Sequence, residues 1–300
     1  LKPSTARGYE AIIRTKINPE IGAIPLQGLT GVDIARAWGE LRTDGRRDGK
    51  GGLSETTILQ CHAVVHRALN HAVRARLISR NVAGDLDRPK ITKTEMRTWT
   101  TDQVRQFLTE TDGERLGAVW EVAVRTGMRR GELLGLQWAD IDLKRGTIVV
   151  RRSRVAAGGT VTEGSPKSGR ARTITVAPTV IAALEVWQQR QREERIVWPT
   201  DEAFAQGYVF TREDGTPANA ASISQAFDRR VARTELPRLR FHDLRHTCAS
   251  LMLESGVDLV TISRHLGHGS IAITADTYGH VSPAMAADAV LRLDAHIAGH

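Results

Sequence analysis

Residues 147–176 read TIVVRRSRVAAGGTVTEGSPKSGRARTITV. β-branched residues crowd both ends, Thr147 to Arg152 and Arg172 to Val176, and a glycine-rich stretch, 156–170, lies between them. Two such runs joined by turn-forming residues predict a β-hairpin with a long tip. Outward from it the pattern changes to helix. Helices are expected upstream at 101–111, 114–126 and 130–137. Downstream, Pro178 suits the first turn of a helix to about Arg195. A short strand at Tyr208–Phe210 and a helix over 219–234 come next. Consecutive helices are then expected around 242–254, 258–266, 270–277 and 283–296. One hairpin among so many helices predicts a mainly α unit with a small antiparallel β-sheet, an α+β arrangement.

The first third reads as all-α. Ser4 can cap a helix over roughly 5–18. Thr30 with Asp33 three later is a capping-box start for a helix to about Leu41. Residues 42–52, RTDGRRDGKGG, are glycine-rich and charged and predict a mobile loop. Ser54 opens a long helix to about Leu77, with Ile58, Cys61, Val65, Leu69 and Val73 recurring at helical spacing. Residues 84–98 are polar, basic and aperiodic. The expected organisation is therefore a helical domain at 1–90, a linker at 91–99 and a second domain at 100–300, without internal repeats.

Composition narrows the function. Three hundred residues with 41% apolar and 25% charged side chains exclude a disordered tail or a fibrous repeat. No apolar run approaches the ~18 residues of a membrane span. Two cysteines, Cys61 and Cys248, fit a reducing compartment and cannot build a zinc site by themselves. The net charge of +8 points to a polyanionic partner. Residues 1–94 hold 16 Lys/Arg against 9 Asp/Glu, whereas 95–300 hold 26 against 25. The first third is thus the stronger DNA-gripping candidate. In the hairpin, Arg151, Arg152, Arg154, Lys167, Arg170 and Arg172 face only Glu163 in charge. The chain begins at Leu1 with no signal pattern, which suggests a fragment or a processed chain.

Four segments carry chemistry. In TGMRRGELL (126–134), Gly127 ends one helix and Arg129 sits at the start of the next, where backbone amides favour an anion and Glu132 can hold the guanidinium. In FHDLRHT (241–247), His242, Arg245 and His246 share one helical face, a pairing suited to phosphate. In HLGHGS (265–270), Gly267 is a C-cap and His268 follows at a turn. In TYGHV (277–281), a helix-end tyrosine beside glycine can project its hydroxyl. Singly, each has an ordinary structural reading: an i,i+3 ion pair, a capped helix start, a core tyrosine.

Together, residues 126–281 resemble the catalytic domain of the tyrosine recombinases, the phage-integrase family. TGMRRGELLGLQWADID is similar to the family's first box, HDLRHTCASLML to its second and LGHGSIAITADTYGHV to its third. The resemblance implies that Arg129, Lys167, His242, Arg245, His268 and Tyr278 are catalytic and that Glu132 supports Arg129. Lys167 falls on the hairpin where the family carries its lysine. The third box accepts His or Trp, so His268 has the less rigid role. Residues 1–90 resemble, more weakly, the family's core-binding domain. The resemblance therefore implies a C-shaped DNA clamp and a bacterial cytoplasmic enzyme without metal or other cofactor. Its partners would be double-stranded DNA attachment sites, three further copies of the chain, and accessory proteins such as an excisionase and a host DNA-bending protein. Residues 283–296 would form a C-terminal helix docking on a neighbouring protomer.

The residue types agree with that chemistry. Cleaving a phosphodiester without a metal needs a nucleophile, charge on the non-bridging oxygens and a proton for the leaving oxygen. Tyr278, the pair Arg129 and Arg245, and Lys167 can supply these in turn, with His242 and His268 as acid/base groups or phosphate donors. Three other readings stay open. A type IB topoisomerase would use the same phosphotyrosine chemistry without pairing sites. A binding-only relative would have lost catalysis. A metal-dependent hydrolase could draw on His242/His246 and His265/His268, although His-Glu-x-x-His is absent.

Overall fold

The computed structural model describes residues 3–46, 48–91, 96–157, 160–164, 171–198 and 206–278, without the side chains of 3–4, 155–157, 160–163 and 276–278. The chain divides into two compact units, residues 1–95 and 96–300.

The first unit is helical throughout its described residues. Helix α1 (Pro3–Ile12) runs through a wide π-turn, Ile13–Ile17, into the short α2 (Asn18–Ile21). The expected start shifts: the helix begins at Pro3, so Ser4 lies inside the first turn. Helix α3 (Gly31–Asp44) opens on the anticipated capping box. Asp33 N–H donates to Thr30 Oγ1 at 3.3 Å, and Thr30 N–H donates to the Asp33 carboxylate at 3.1 Å. Helix α4 (Glu55–Arg74) is capped by Ser54. Ile17, Ile34, Trp38, Leu41, Ile58, Cys61, Val65 and Leu69 form one core.

The segment anticipated as a mobile loop, 42–52, carries hydrogen bonds at both ends in its described residues. Its first three residues continue α3. Leu53 N–H donates to Leu41 O at 2.8 Å. Arg42 makes a two-pronged ion pair with Glu55 at 2.6 and 3.0 Å, and Arg46 pairs with Asp48. Glycine-rich composition here serves a tight reversal between two helices.

In the second unit, α5 (Thr101–Glu110), α6 (Gly117–Thr126) and α7 (Arg130–Leu134) lead into the sheet. Strands β1 (Ile141–Asp142), β2 (Thr147–Val150) and β5 (Arg172–Thr175) form an antiparallel sheet in the order β1-β2-β5. Its register pairs Ile148 with Ile174 and Val150 with Arg172. The expected hairpin is therefore present, but its tip holds a second one. Strands β3 (Ser153–Ala157) and β4 (Thr160–Gly164) pair with each other in a separate two-stranded sheet. The strand expected at Tyr208–Phe210 is reduced to a single bridge, Tyr208 to Gln137.

Five more helices complete the described residues: α8 (Pro178–Val197), α9 (Ala220–Val231), α10 (Asp243–Glu254), α11 (Leu259–Leu266) and α12 (Ile271–Tyr278). The helix expected over 283–296 lies outside the described residues. Trp99, Phe107, Trp120, Phe227 and Phe241 interlock at the centre of the core, with ring centroids 4.9 Å apart for Trp99–Phe107 and 5.6 Å for Phe227–Phe241. Such offset and edge-on contacts favour one arrangement of rings over a sliding stack. Trp99 also anchors the start of this unit to α10. Its N–H donates to Thr247 Oγ1 at 3.2 Å, and its indole N–H donates to Pro237 O at 2.9 Å.

Candidate active site

Three sequence segments far apart in the chain are joined by side chains that donate to main-chain carbonyls. The joint begins at Gly127, which ends α6 in the left-handed region at φ +58°. A Cβ at this position would lie 2.5 Å from Leu266 Cδ2 and 3.3 Å from Cys248 Cβ. Only glycine meets both demands, so α6 can press directly against α10 and α11. Arg245, buried on α10, donates through Nη1 to the Gly127 carbonyl at 2.8 Å.

The third segment docks on the first. His265 Nε2 lies 3.0 Å from the Thr126 carbonyl. A carbonyl only accepts, so this nitrogen carries the proton. Burial, with Arg172 and Arg245 nearby, holds the His265 pKa below its ordinary value despite the bond to Thr126. Gly267 caps α11 at φ +68°. Its carbonyl accepts from Arg129 Nη2 at 3.2 Å.

Arg129 stands at the N-cap of α7, with its side chain 22% exposed. Its Nη1 donates to Glu132 Oε1 at 2.9 Å, and its backbone N–H donates to Glu132 Oε2 at 3.1 Å. Glu132 is completely buried and receives a third bond, from Arg172 Nη2 at 2.7 Å. Burial alone would raise the Glu132 pKa. The Arg172 hydrogen bond, the two guanidinium charges and the Arg129 amide outweigh it and hold the carboxyl below its ordinary value.

His268 follows the Gly267 cap. Its Nδ1 lies 2.7 Å from the hydroxyl of Thr274 on α12. Burial, together with the positive charges of Arg245 and Arg129, pulls its pKa down to about 4. His242 and His246 flank Arg245 on α10, ring centroids 5.7 Å apart. Burial is also the main cause of their lowered pKa values, reinforced at His242 by His246 and Arg245 and opposed at both by Asp243. Asp243 itself is held by Arg240 at 2.8 Å through both oxygens. The site therefore combines fixed positive charge on two arginines with imidazoles that are neutral near pH 7.

Tyr278 is the last residue of α12, one helical turn beyond Thr274. Its side chain, and all of Lys167 and Arg170, lie outside the described residues. Of the other candidate DNA contacts, Arg151 is the most open, 55% exposed and 3.3 Å from Asp140. Arg152 turns inward to the buried Asp140 at 2.5 Å. The Arg154 guanidinium lies over the Tyr208 ring, 4.6 Å from its centroid. Arg172, anticipated at a DNA surface, instead has a side chain only 10% exposed, its guanidinium engaged with Glu132 and the His265 carbonyl. Among the described residues, no group of three or more His, Cys, Asp or Glu could hold a metal ion.

A family model described as "Phage integrase family" matches residues 97–285. The chain belongs to the phage integrase family. A second model, "Phage integrase, N-terminal SAM-like domain", matches residues 1–41. The chain is 31% identical to a tyrosine recombinase XerC-like protein of Caldanaerobacter subterraneus subsp. tengcongensis, an alignment covering 98% of this chain and 78% of that protein. It is 29% identical to the ICEBs1 integrase of Bacillus subtilis over 77% of this chain and 63% of that one. The fold matches that of the Tn1549 transposon integrase in complex with transposon right end DNA. The TM-score is 0.77 at 21% identity, over 98% of this chain and 95% of the other. As a member of this family the chain is a site-specific recombinase of the tyrosine type. The family match over 97–285 spans the segments that Arg129, Arg245, His265 and Gly267 bind together. Sequence reasoning missed His265, Thr274 and Asp140 as parts of this architecture. Their signal was weak, because each acts by hydrogen-bonding another group of the fold.

Proposed function

We propose that this recombinase cuts and rejoins double-stranded DNA at the attachment sites of a mobile element through a 3′-phosphotyrosyl intermediate on Tyr278. One observation carries the reading. Arg129, Arg245 and His268 are held together around the joint between Gly127 and Gly267, and α12 leads from the His268–Thr274 bond directly to Tyr278.

In the cleavage step, the phenolic oxygen of Tyr278 attacks the scissile phosphorus and the bond to the 5′ oxygen breaks. An unperturbed phenol has a pKa of ~10 and needs activation. His242, kept neutral by its surroundings, is suited to take the phenol proton. Arg129 and Arg245 bind the non-bridging oxygens as charge gathers on them. His268, neutral near pH 7 and held by Thr274 through Nδ1, would present Nε2 to the phosphate, as a donor in the tautomer protonated there. The Lys167 ammonium supplies the proton to the leaving 5′ oxygen. One phosphoester replaces another, so a second 5′ hydroxyl can attack, expel Tyr278 and restore the proton positions without ATP.

Exchanging two duplexes breaks four strands, and each break consumes one tyrosine, so the working assembly contains four protomers. The excess basic charge of residues 1–94 supports a role for the first unit in holding the DNA backbone.

The test is covalent trapping. The protein and a Tyr278→Phe variant are incubated with nicked duplexes tiled across the ends of the element, with a chelator present, and resolved on denaturing gels. An adduct at one position, absent with the variant, is expected. An adduct that persists in Tyr278→Phe, or one abolished by the chelator, would overturn the proposal. Relaxation of supercoiled DNA lacking any such site would favour a topoisomerase instead.

A further inference from the structure

We infer that Arg172 is a positioning residue for the cleavage reaction: it orients Arg129 through Glu132 and fixes the α11 cap that carries His268. This rests on the proposed role of Arg129.

The Glu132 carboxylate has two oxygens and three donors. Oε1 takes Arg129 Nη1, while Oε2 takes the Arg129 backbone N–H and Arg172 Nη2. Because the Glu132 side chain is fully buried, water cannot replace a missing donor. Removing Arg172 therefore leaves one oxygen under-bonded and lets the carboxylate rotate. The Arg129 guanidinium, fixed by the other oxygen, would turn with it.

The same guanidinium reaches the opposite wall. Arg172 Nε donates to the His265 carbonyl at 2.9 Å, in the last turn of α11. One residue beyond that turn, Gly267 accepts from Arg129. Arg129 and Arg172 thus each link Glu132 to the end of α11, as two parallel ties. A Cβ on Gly267 would stand 2.8 Å from Arg172 Nη1, which shows how closely the cap is laid against this side chain. Arg172 Nη1 is buried with no hydrogen-bond partner among the described residues. An ion pair retained only for stability gains nothing from such an orphan, and a buried orphan donor calls for a reason. Geometry supplies one. A planar fork is the side chain that can bond Glu132 and the His265 carbonyl simultaneously, whereas a lysine ammonium can serve either but not both.

The experiment measures single-turnover formation of the covalent adduct, on the nicked duplex identified by trapping, for Arg172→Met, Arg172→Lys, Arg129→Lys and the double variants. Binding to the same duplex is measured in parallel. Arg172→Met is expected to slow adduct formation by roughly 10- to 100-fold, the scale of a catalytic group displaced by about an ångström. Binding should stay within about twofold. Arg172→Lys should fall between Met and the parent. On the Arg129→Lys background, either Arg172 change should add clearly less than it does on the parent background, the remainder coming through the α11 cap. A full multiplicative loss on that background would overturn the inference, as would a loss confined to DNA affinity, which would return Arg172 to the DNA surface. If Arg172→Met does not fold, as read by its melt, the cycle with Arg172→Lys decides by the same criterion. If Arg129→Lys leaves cleavage unchanged, the functional reading itself fails.

Discussion

Arg245 Nη1 and the Gly127 carbonyl lie 2.8 Å apart across 118 residues of sequence. This bond ties a side chain expected to grip phosphate to the backbone that aims Arg129. The two arginines are therefore not independent supports. The joint that places one also places the other.

Replacing Gly127 by alanine should destabilise the second unit by more than about 2 kcal/mol. A non-glycine residue in the left-handed region costs about 1–2 kcal/mol, and the new Cβ would collide with Leu266 and Cys248. Urea unfolding should show a lower midpoint with an unchanged slope. A midpoint equal to the parent's would mean the joint is looser than described.

Arg245→Lys should lower the rate of adduct formation by roughly 10²–10³, the scale of losing one preorganised donor at a developing charge. Single-turnover kinetics on the trapped duplex would measure it. A loss under about fivefold would place Arg245 away from the reacting phosphate.

Stability should depend on pH in a definite direction. The folded-state pKa values of His242, His246, His265 and His268 are all lowered, that of His268 to about 4. In the unfolded chain, histidine titrates near 6.5. Between those values the unfolded state binds more protons, so stability rises with pH. Full stability is expected above about pH 6.5, with progressive loss as pH falls toward 4. Urea melts of the second unit across this window would test it. A flat or falling profile with rising pH would contradict the buried, neutral imidazoles.

Arg151 and Arg152 should behave oppositely although adjacent. Arg151 is exposed, so Arg151→Ala should weaken DNA binding and reduce the salt slope by about one phosphate contact. Arg152 makes the shorter of the two ion pairs to the buried Asp140, so its removal should instead destabilise the fold, by about 1.5–3 kcal/mol, the scale of a hydrogen bond to a charged group, with Arg151 left as the remaining cation. Salt titrations and denaturant melts of both variants separate the two effects.

Much of this was legible in advance because short-range rules decide it. The Thr30–Asp33 capping box, the Ser54 cap and the glycines at 127 and 267 each act within a few residues, and each appears where spacing placed it. The antiparallel sheet also followed from local β-branched runs. The inner hairpin β3–β4 was hidden because Ala156, Ala157 and the following glycines read as turn. Arg172 was misjudged by charge counting alone. Period two puts it on the face of Ile174, which is buried, just as Arg152 continues the buried face of Ile148 and Val150. Strand parity therefore separates Arg151, pointing outward, from its two inward neighbours. His265 was illegible for a different reason: its partner, the Thr126 carbonyl, is distant in sequence, and pairing across such a gap has no local signature.

The acceptors that hold the candidate site together are largely carbonyls of the main chain, those of Thr126, Gly127, His265 and Gly267. A codon change cannot delete a carbonyl. Vulnerability to mutation is thus one-sided, concentrated in the donors Arg129, Arg172, Arg245 and His265 and in the glycines whose backbone must bend. Of the four residues lending those carbonyls, only Thr126 is neither such a donor nor such a glycine, and it is buried, so a diverging lineage has little room to rewrite this joint without loosening its fastenings.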